Sequence, residues 1–73
     1  MTADLPADSP LSPREAQALA LVGTGLTARA IGYRLGISES TVHKHLEHAY
    51  RKLGVTDRVL AVTAARQLRI IPS

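Results

Sequence analysis

The chain has 73 residues, enough for one domain, and it contains no cysteine. The missing thiols exclude disulfides and thiolate metal sites, and they favour a reducing, intracellular setting. The formal net charge is +3, and residues 11–73 carry nine Lys and Arg against four Asp and Glu. This positive excess favours an anionic partner such as nucleic acid. The sequence contains no Phe or Trp, which argues against a protein that binds RNA or single-stranded DNA by stacking bases on aromatic side chains.

Residues 1–10 are rich in Pro, Asp and Ala and lack the basic and apolar regions of a signal peptide. We predict a flexible leader or interdomain linker over 1–10, one folded domain over 11–73, and an origin as the excised domain of a longer protein. No apolar run approaches the roughly 20 residues that a membrane-spanning helix needs. We therefore expect a cytoplasmic protein with no membrane partner.

The first helix has a well-marked start. Ser12 is placed to be the N-cap, Pro13 suits the first helical position, and Glu15 completes a Ser-x-x-Glu capping box. Gly23 then ends the apolar periodicity. The pattern predicts a helix over about 13–23.

The second and third helices are joined by only three residues, GIS. Thr27 and Ser38 are the predicted N-caps, and Gly36 is the left-handed stop of the second helix. The third helix is expected to run to Leu53. We attribute Gly32, in the middle of the second helix, to a close helix–helix approach. A short connection with Gly between two helices is the signature of a helix-turn-helix.

Thr56 is the predicted N-cap of a fourth helix over about residues 57–68. This helix has two apolar stripes on nearly opposite sides, the first formed by Val59, Val62 and Ala65 and the second by Leu60, Ala64 and Leu68. A helix that is apolar on both sides usually has a partner. Either the leader or the tail RIIPS covers the second stripe, or it is a dimer contact. With no strand-like alternation, the fold is predicted to be all-α.

The third helix separates into two sides when it is drawn at 100° per residue. Its predicted buried side holds Val42, Leu46, Ala49 and Leu53. The opposite side is polar and is made of Lys44, Glu47 and Arg51, with Ser40, His43 and His48 at its margins. This arrangement is what a groove-reading helix requires.

The three histidines of this helix are not expected to form a metal site. His43 and His45 project about 160° apart, and no third ligand stands at a sensible spacing from His45 and His48. No nucleophile–base pair or pocket is indicated either. We therefore predict no catalytic residue, no metal, no cofactor and no small-molecule ligand in this domain, and we do not expect an enzyme.

Several polar residues also have purely structural interpretations. His45 can be a histidine at the core edge, bonded to backbone or to a phosphate. Glu47 and Arg51 can form a solvated helix pair worth a few tenths of a kcal/mol. Thr41 can serve only the helix start. Against these stands a donor-rich patch that includes His43 and Lys44, at the place where a duplex groove would lie.

The run LSPREAQALALVGTGLTARAIGYRLGISESTVHKHLEHAYRKLGVTDRVLAV resembles the C-terminal DNA-binding domain of LuxR-type transcription regulators, a group shared with many two-component response regulators. The resemblance covers about residues 11–71. It implies a four-helix, bundle-like domain whose second and third helices make the helix-turn-helix. The third helix would enter the major groove, and the fourth would mediate dimerisation.

The resemblance also implies which positions touch DNA. Base edges would be read by His43, Lys44 and Glu47. Together with the donor-rich patch, it gives the phosphate candidates Thr27, Arg29, Arg34, Ser38, Ser40, Thr41, His45, His48, Arg51 and Lys52. The implied dimer contacts are Leu60, Ala64, Gln67 and Leu68.

We expect a sequence-specific binder of double-stranded DNA that regulates bacterial transcription as a homodimer, associated with the nucleoid when bound. RNA polymerase is a further candidate partner. Two of the base-reading candidates depart from the family pattern, because basic residues are common where His43 stands and basic or polar ones where Glu47 stands. In the second helix, Ala30 stands where the family usually has an acidic residue and Gly32 where it usually has alanine. A carboxylate repels phosphates but can accept a hydrogen bond from a cytosine amino group. The alternative is a helical protein-interaction module that keeps the fold without specific DNA binding.

Overall fold

The computed structural model describes residues 10–72, so nearly all of the predicted leader (1–10) lies outside the described residues. The described part of the chain contains four α-helices and no strand, which confirms the all-α prediction. In chain order the helices are α1 (Pro13–Gly23), α2 (Ala28–Leu35), α3 (Glu39–Leu53) and α4 (Arg58–Gln67). None of them is long and apolar enough to cross a membrane.

The first three helices start at the predicted caps. In α1, Ser12 Oγ accepts from the Glu15 backbone N–H at 3.2 Å, and Glu15 Oε1 accepts from the Ser12 backbone N–H at 2.9 Å. This reciprocal pair is the capping box. Thr27 and Ser38 cap α2 and α3, and Gly36 ends α2 with φ of 73°. Local sequence therefore determines these boundaries.

The N-cap of α4 is Asp57, so the prediction that Thr56 caps this helix is wrong. Asp57 Oδ1 accepts from the Leu60 backbone N–H at 2.9 Å, and α4 begins at Arg58. The charged carboxylate is a better acceptor than a threonine hydroxyl at the positive end of a helix.

Side chains from all four helices and from the C-terminal tail make one core. Leu19, Ile31 and Val42 are its largest fully buried side chains and come from α1, α2 and α3 respectively. The most extensive helix contacts are those of α3 with α1 and with α2. The central α3 is therefore held mainly by α1 and α2, with a smaller contact to α4, while its polar side faces solvent.

The side of α4 that faces the core is made of Ala61, Val62 and Ala65. The predicted inner stripe included Val59 instead, and this is wrong because Val59 is 69% exposed. At 100° per residue Val59 lies about 60° from Val62 but about 110° from the centre of the three buried side chains, so it falls outside the inner side. Ala61, four residues before Ala65, takes the inner position.

The tail after α4 packs into the main core and does not cover the second apolar stripe of α4. Arg69 has a φ of 60°, a left-handed conformation that turns the chain back. Ile70 and Ile71 are then buried. Leu60 and Leu68 remain 53% and 55% exposed, so within residues 10–72 this stripe has no cover.

Gly32 lies where the backbone of the helix-turn-helix connection comes closest to α2. A Cβ at this position would lie 2.7 Å from the Ile37 carbonyl oxygen, and the Ile37 backbone N–H donates to the Gly32 carbonyl at 2.9 Å. The closest approach is therefore to the turn, and the predicted approach to a helix is met at the start of α3, where the Glu39 backbone N would lie 3.4 Å from the added Cβ.

Candidate nucleic-acid interface

The central helix α3 has one buried side and one exposed polar side, as the sequence predicts. Val42, Leu46 and Ala49 are its buried residues. Tyr50, His45 and the predicted inner residue Leu53 are half-buried at the edges. We call the exposed side the polar face; its residues are Ser40, His43, Lys44, Glu47 and Arg51.

Acidic and basic side chains alternate along the exposed side of α3 at a spacing of four residues. His43 Nε2 lies 3.7 Å from Glu39 Oε2, and Arg51 Nη2 lies 4.0 Å from Glu47 Oε2. All four side chains are more than half exposed. Solvent-exposed pairs of this kind contribute only a few tenths of a kcal/mol to stability, so they do little to hold the fold.

Lys44 differs from its charged neighbours because it makes no hydrogen bond or ion pair within residues 10–72. It is exposed in the middle of the polar face. An ammonium group without an internal partner can donate all three of its hydrogens to an external acceptor. The structure thus leaves Lys44 available for a ligand.

Hydroxyl groups predicted to touch phosphate are gathered at the helix starts. Ser38 Oγ accepts from the Thr41 backbone N–H at 3.1 Å and lies 3.2 Å from Ser40 Oγ and 2.9 Å from Thr41 Oγ1. At the start of α2, Thr27 Oγ1 accepts from the Ala30 backbone N–H at 3.1 Å. The caps at Thr27 and Ser38 thus have a structural role of their own, while exposed Ser40 stands beside the cap.

Two of the predicted phosphate contacts, His48 and Lys52, face α1. Lys52 Nζ donates to Glu15 Oε1 at 2.9 Å, and His48 Nδ1 lies 3.8 Å from Glu15 Oε2. The Glu15 side chain is buried, whereas those of His48 and Lys52 are about half exposed. This contact holds the second half of α3 against the start of α1, and it competes with any phosphate for the same two side chains.

The surroundings of Glu15 change its pKa. Burial alone would raise the pKa of the carboxyl, but the hydrogen bonds from Lys52 and from the Ser12 backbone, together with the charge of Lys52, lower it below its ordinary value. The carboxylate therefore stabilises the fold at pH values above the pKa of the unfolded chain, and this contribution is lost as pH falls through the pKa of the folded chain.

Glu15→Gln is expected to lower the free energy of unfolding by about 1 kcal/mol at neutral pH, because it removes the charge that Lys52 and His48 contact. Chemical unfolding at about pH 7 and about pH 3 measures this difference, which should approach zero in acid. Glu47→Gln is the matched control, since it breaks an exposed pair and should change stability by less than about 0.5 kcal/mol. An equal loss for Glu15→Gln at both pH values would contradict this account.

Comparison with known proteins assigns the domain. Residues 9–65 match the family described as bacterial regulatory proteins, luxR family. The chain belongs to the LuxR family. It is 43% identical over 63 residues to the transcriptional activator protein CarR of Pectobacterium carotovorum, and 42% identical over 60 residues to the nitrate/nitrite response regulator NarL of Escherichia coli. These matches cover 86% and 82% of the chain.

Solved structures agree with this assignment. The transcription factor GerE superposes with a TM-score of 0.82 at 32% identity, over 86% of this chain and 94% of GerE. The response regulator ChrA of a heme-sensing two-component system superposes with a TM-score of 0.81 at 48% identity, over 90% of this chain and 32% of ChrA. The four helices thus form the helix-turn-helix fold of GerE, with α2 and α3 as its two helices.

The chain is a LuxR-type DNA-binding domain. It spans only 26% of the length of CarR and 28% of the length of NarL. NarL and ChrA are response regulators, and each contains a domain similar to this chain.

One exposed cation of the LuxR-family domain was missed by the sequence interpretation. Arg58, the first residue of α4, lines an open groove of about 580 Å³ together with His43, Glu47 and Arg51. The sequence shows no periodic relation between Arg58 and α3, because the two are brought together by the α3–α4 connection. The sequence feature that could have pointed to Arg58 is its position at a helix start, next to Asp57.

The other predicted residues lie on separate surfaces. Arg29 and Arg34 are exposed on α2, and no ion pair involves them in the described part of the chain. On α4, Gln67 is exposed and Ala64 half-buried beside the exposed Leu60 and Leu68. Across residues 10–72 no group of three His, Cys, Asp or Glu side chains is placed to hold a metal ion.

Proposed function

We propose that α3 enters the major groove of double-stranded DNA, that it reads a specific sequence there, and that two copies of the chain bind a two-fold symmetric site. The observation that carries this proposal is the exposed polar face of α3, on which Lys44 has no internal partner. A helix is about 10–12 Å wide with its side chains, which suits a major groove about 12 Å wide.

The proposed contacts fall into two classes. His43, Lys44 and Glu47 project from the exposed side of α3 and are proposed to read base edges. The surrounding side chains are proposed to hold phosphates, and these are Thr27, Arg29, Arg34, Ser38, Ser40, Thr41, His45 and Arg51, with Arg58 added. Phosphate contacts fix the position of the protein on the duplex, whereas base contacts select the sequence. His48 and Lys52 would first have to leave Glu15.

Selection of bound sequences from a random duplex pool tests this function. We expect enrichment of a sequence with two-fold symmetry, because a symmetric dimer presents the same helix to two half-sites. A pool that remains random after repeated selection would contradict specific DNA binding and would favour the protein-interaction alternative.

The exposed stripe of α4 supports the dimer. Leu60 and Leu68 are more than half exposed although they are large and apolar, and Ala64 and Gln67 lie between them. Burying this stripe against a second copy would remove apolar area from water, at about 25 cal/mol per Å². The proposed homodimer therefore joins two chains through α4.

Leu68→Glu is expected to weaken dimerisation at least about tenfold, because it buries an unpaired carboxylate in the proposed contact. Val59→Glu is the matched control: Val59 is also exposed and apolar on α4, but it projects from a different side. Sedimentation equilibrium, with and without a duplex that carries two half-sites, measures the association. Equal dimerisation of the two variants would exclude this stripe as the contact.

A further inference from the structure

A carboxylate stands in the middle of the proposed DNA-reading surface. The Glu47 side chain is 68% exposed, and it lies one turn after His43 and one turn before Arg51. A negative charge at this place repels the phosphates of a bound duplex. Unless a favourable contact offsets this repulsion, Glu47 weakens binding to every sequence equally.

Arg51 reduces the repulsion without removing the acceptor. Its Nη2 atom lies 4.0 Å from Glu47 Oε2, and Arg58 lines the same groove. Only one guanidinium nitrogen of Arg51 is within ion-pair distance of the carboxylate. Because an ionised carboxylate has about four acceptor positions, most of them remain available to a ligand.

The major-groove edges of the four bases respond differently to such an acceptor. Cytosine presents an amino donor, whereas guanine presents two acceptors and thymine presents an acceptor and a methyl group. Adenine also carries an amino donor, but its N7 acceptor lies beside it and repels a carboxylate. Cytosine is therefore the base from which the Glu47 carboxylate best accepts a hydrogen bond.

We infer that Glu47 selects a cytosine in each half-site by accepting a hydrogen bond from its N4 amino group. This inference rests on the proposed function, because it requires α3 in the major groove. In this role the Glu47 side chain determines which DNA sequence is bound, instead of weakening binding to every sequence.

The position of Lys44 extends the inference to a second base of the half-site. Lys44 precedes Glu47 by three residues, so the two side chains lie on the same side of α3, about 4.5 Å apart along its axis. The ammonium of Lys44 donates to the O6 and N7 acceptors of guanine. If Lys44 reads a base edge, the base it contacts is accordingly a guanine close to the Glu47-bound cytosine.

The test begins with the duplex selected from the random pool. Each position of its half-site is changed to the other three bases, and the cytosine is also replaced by 2-pyrimidinone, a cytosine without its amino group. Wild-type affinity should fall about tenfold to a hundredfold for each change at the cytosine. The loss with 2-pyrimidinone identifies the amino group as the contacted atom.

Glu47→Gln supplies the decisive variant, because a glutamine amide pairs with adenine N6 and N7. We expect its preferred base at the contacted position to change from cytosine to adenine. Glu39→Gln is the control. Glu39 is also an exposed acid of α3 and pairs with His43, four residues later, and its substitution should leave the cytosine preference unchanged.

The possible results separate the two proposals. A Glu47→Gln variant that still prefers cytosine, or a selected half-site without an essential cytosine, overturns the role of Glu47 while DNA binding itself stands. If no duplex is enriched at all, both the inference and the proposed function fail.

Discussion

Lys44→Ala is expected to weaken binding to the selected duplex by about 1–3 kcal/mol, or about 5-fold to 150-fold. The reason is that Lys44 is the cation of the polar face with no partner inside residues 10–72. Its ammonium therefore gives up no internal contact when it binds DNA. Truncation to alanine leaves the α3 backbone and the buried side of the helix intact.

The kind of loss identifies the kind of contact. If Lys44 reads a base, the variant loses discrimination at one base pair; if it holds a phosphate, it weakens all duplexes alike and lowers the salt slope by about one. Fluorescence anisotropy against the selected duplex and its single-base variants separates these outcomes. Arg14→Ala is the charge-matched control, because Arg14 is an exposed α1 cation that bonds to Gln17. Unchanged affinity of Lys44→Ala would remove Lys44 from the interface.

Ile31→Ala is expected to lower the free energy of unfolding by about 2–5 kcal/mol. Ile31 has no exposed area, and it belongs to the same buried cluster as Leu19 and Val42. Truncation removes apolar contacts and leaves a cavity between α2 and the rest of the core. In a domain this small, each kcal/mol lost lowers the melting temperature by about 4–8 °C.

Two variants of the same helix make the control series for Ile31→Ala. Ile31→Val removes one methylene group and should cost about 0.5–1.5 kcal/mol. Tyr33→Ala removes a larger side chain that is 92% exposed, and it should change stability by less than about 0.5 kcal/mol. Similar losses for Ile31→Ala and Tyr33→Ala in chemical unfolding would contradict the position of the core.

Features that depend on residues close in sequence could be predicted. The capping box at Ser12, the caps at Thr27 and Ser38, and the two sides of α3 are all confirmed. Each is fixed by hydrogen bonds over three residues or by helical periodicity, so no knowledge of the tertiary structure is needed.

Features that depend on distant residues could not be predicted. Lys52 and Glu15 are 37 residues apart, and nothing in their local patterns indicates that a buried carboxylate binds the end of α3. The tail Ile70–Ile71 likewise enters the core only because Arg69 reverses the chain. At α4, the cap is Asp57 and not the predicted Thr56, because the start of this helix depends on backbone geometry that only the fold reveals.

Binding to duplex DNA across a series of salt concentrations tests the central claim most directly. Cations that contact phosphates displace counterions, so the logarithm of the association constant should fall linearly with the logarithm of salt concentration, by about 0.9 for each phosphate neutralised. With several basic side chains around α3, we expect a slope of about −4 or steeper, together with tighter binding to the selected duplex than to a scrambled one. A flat salt response with equal affinity for both duplexes would contradict DNA recognition by this domain.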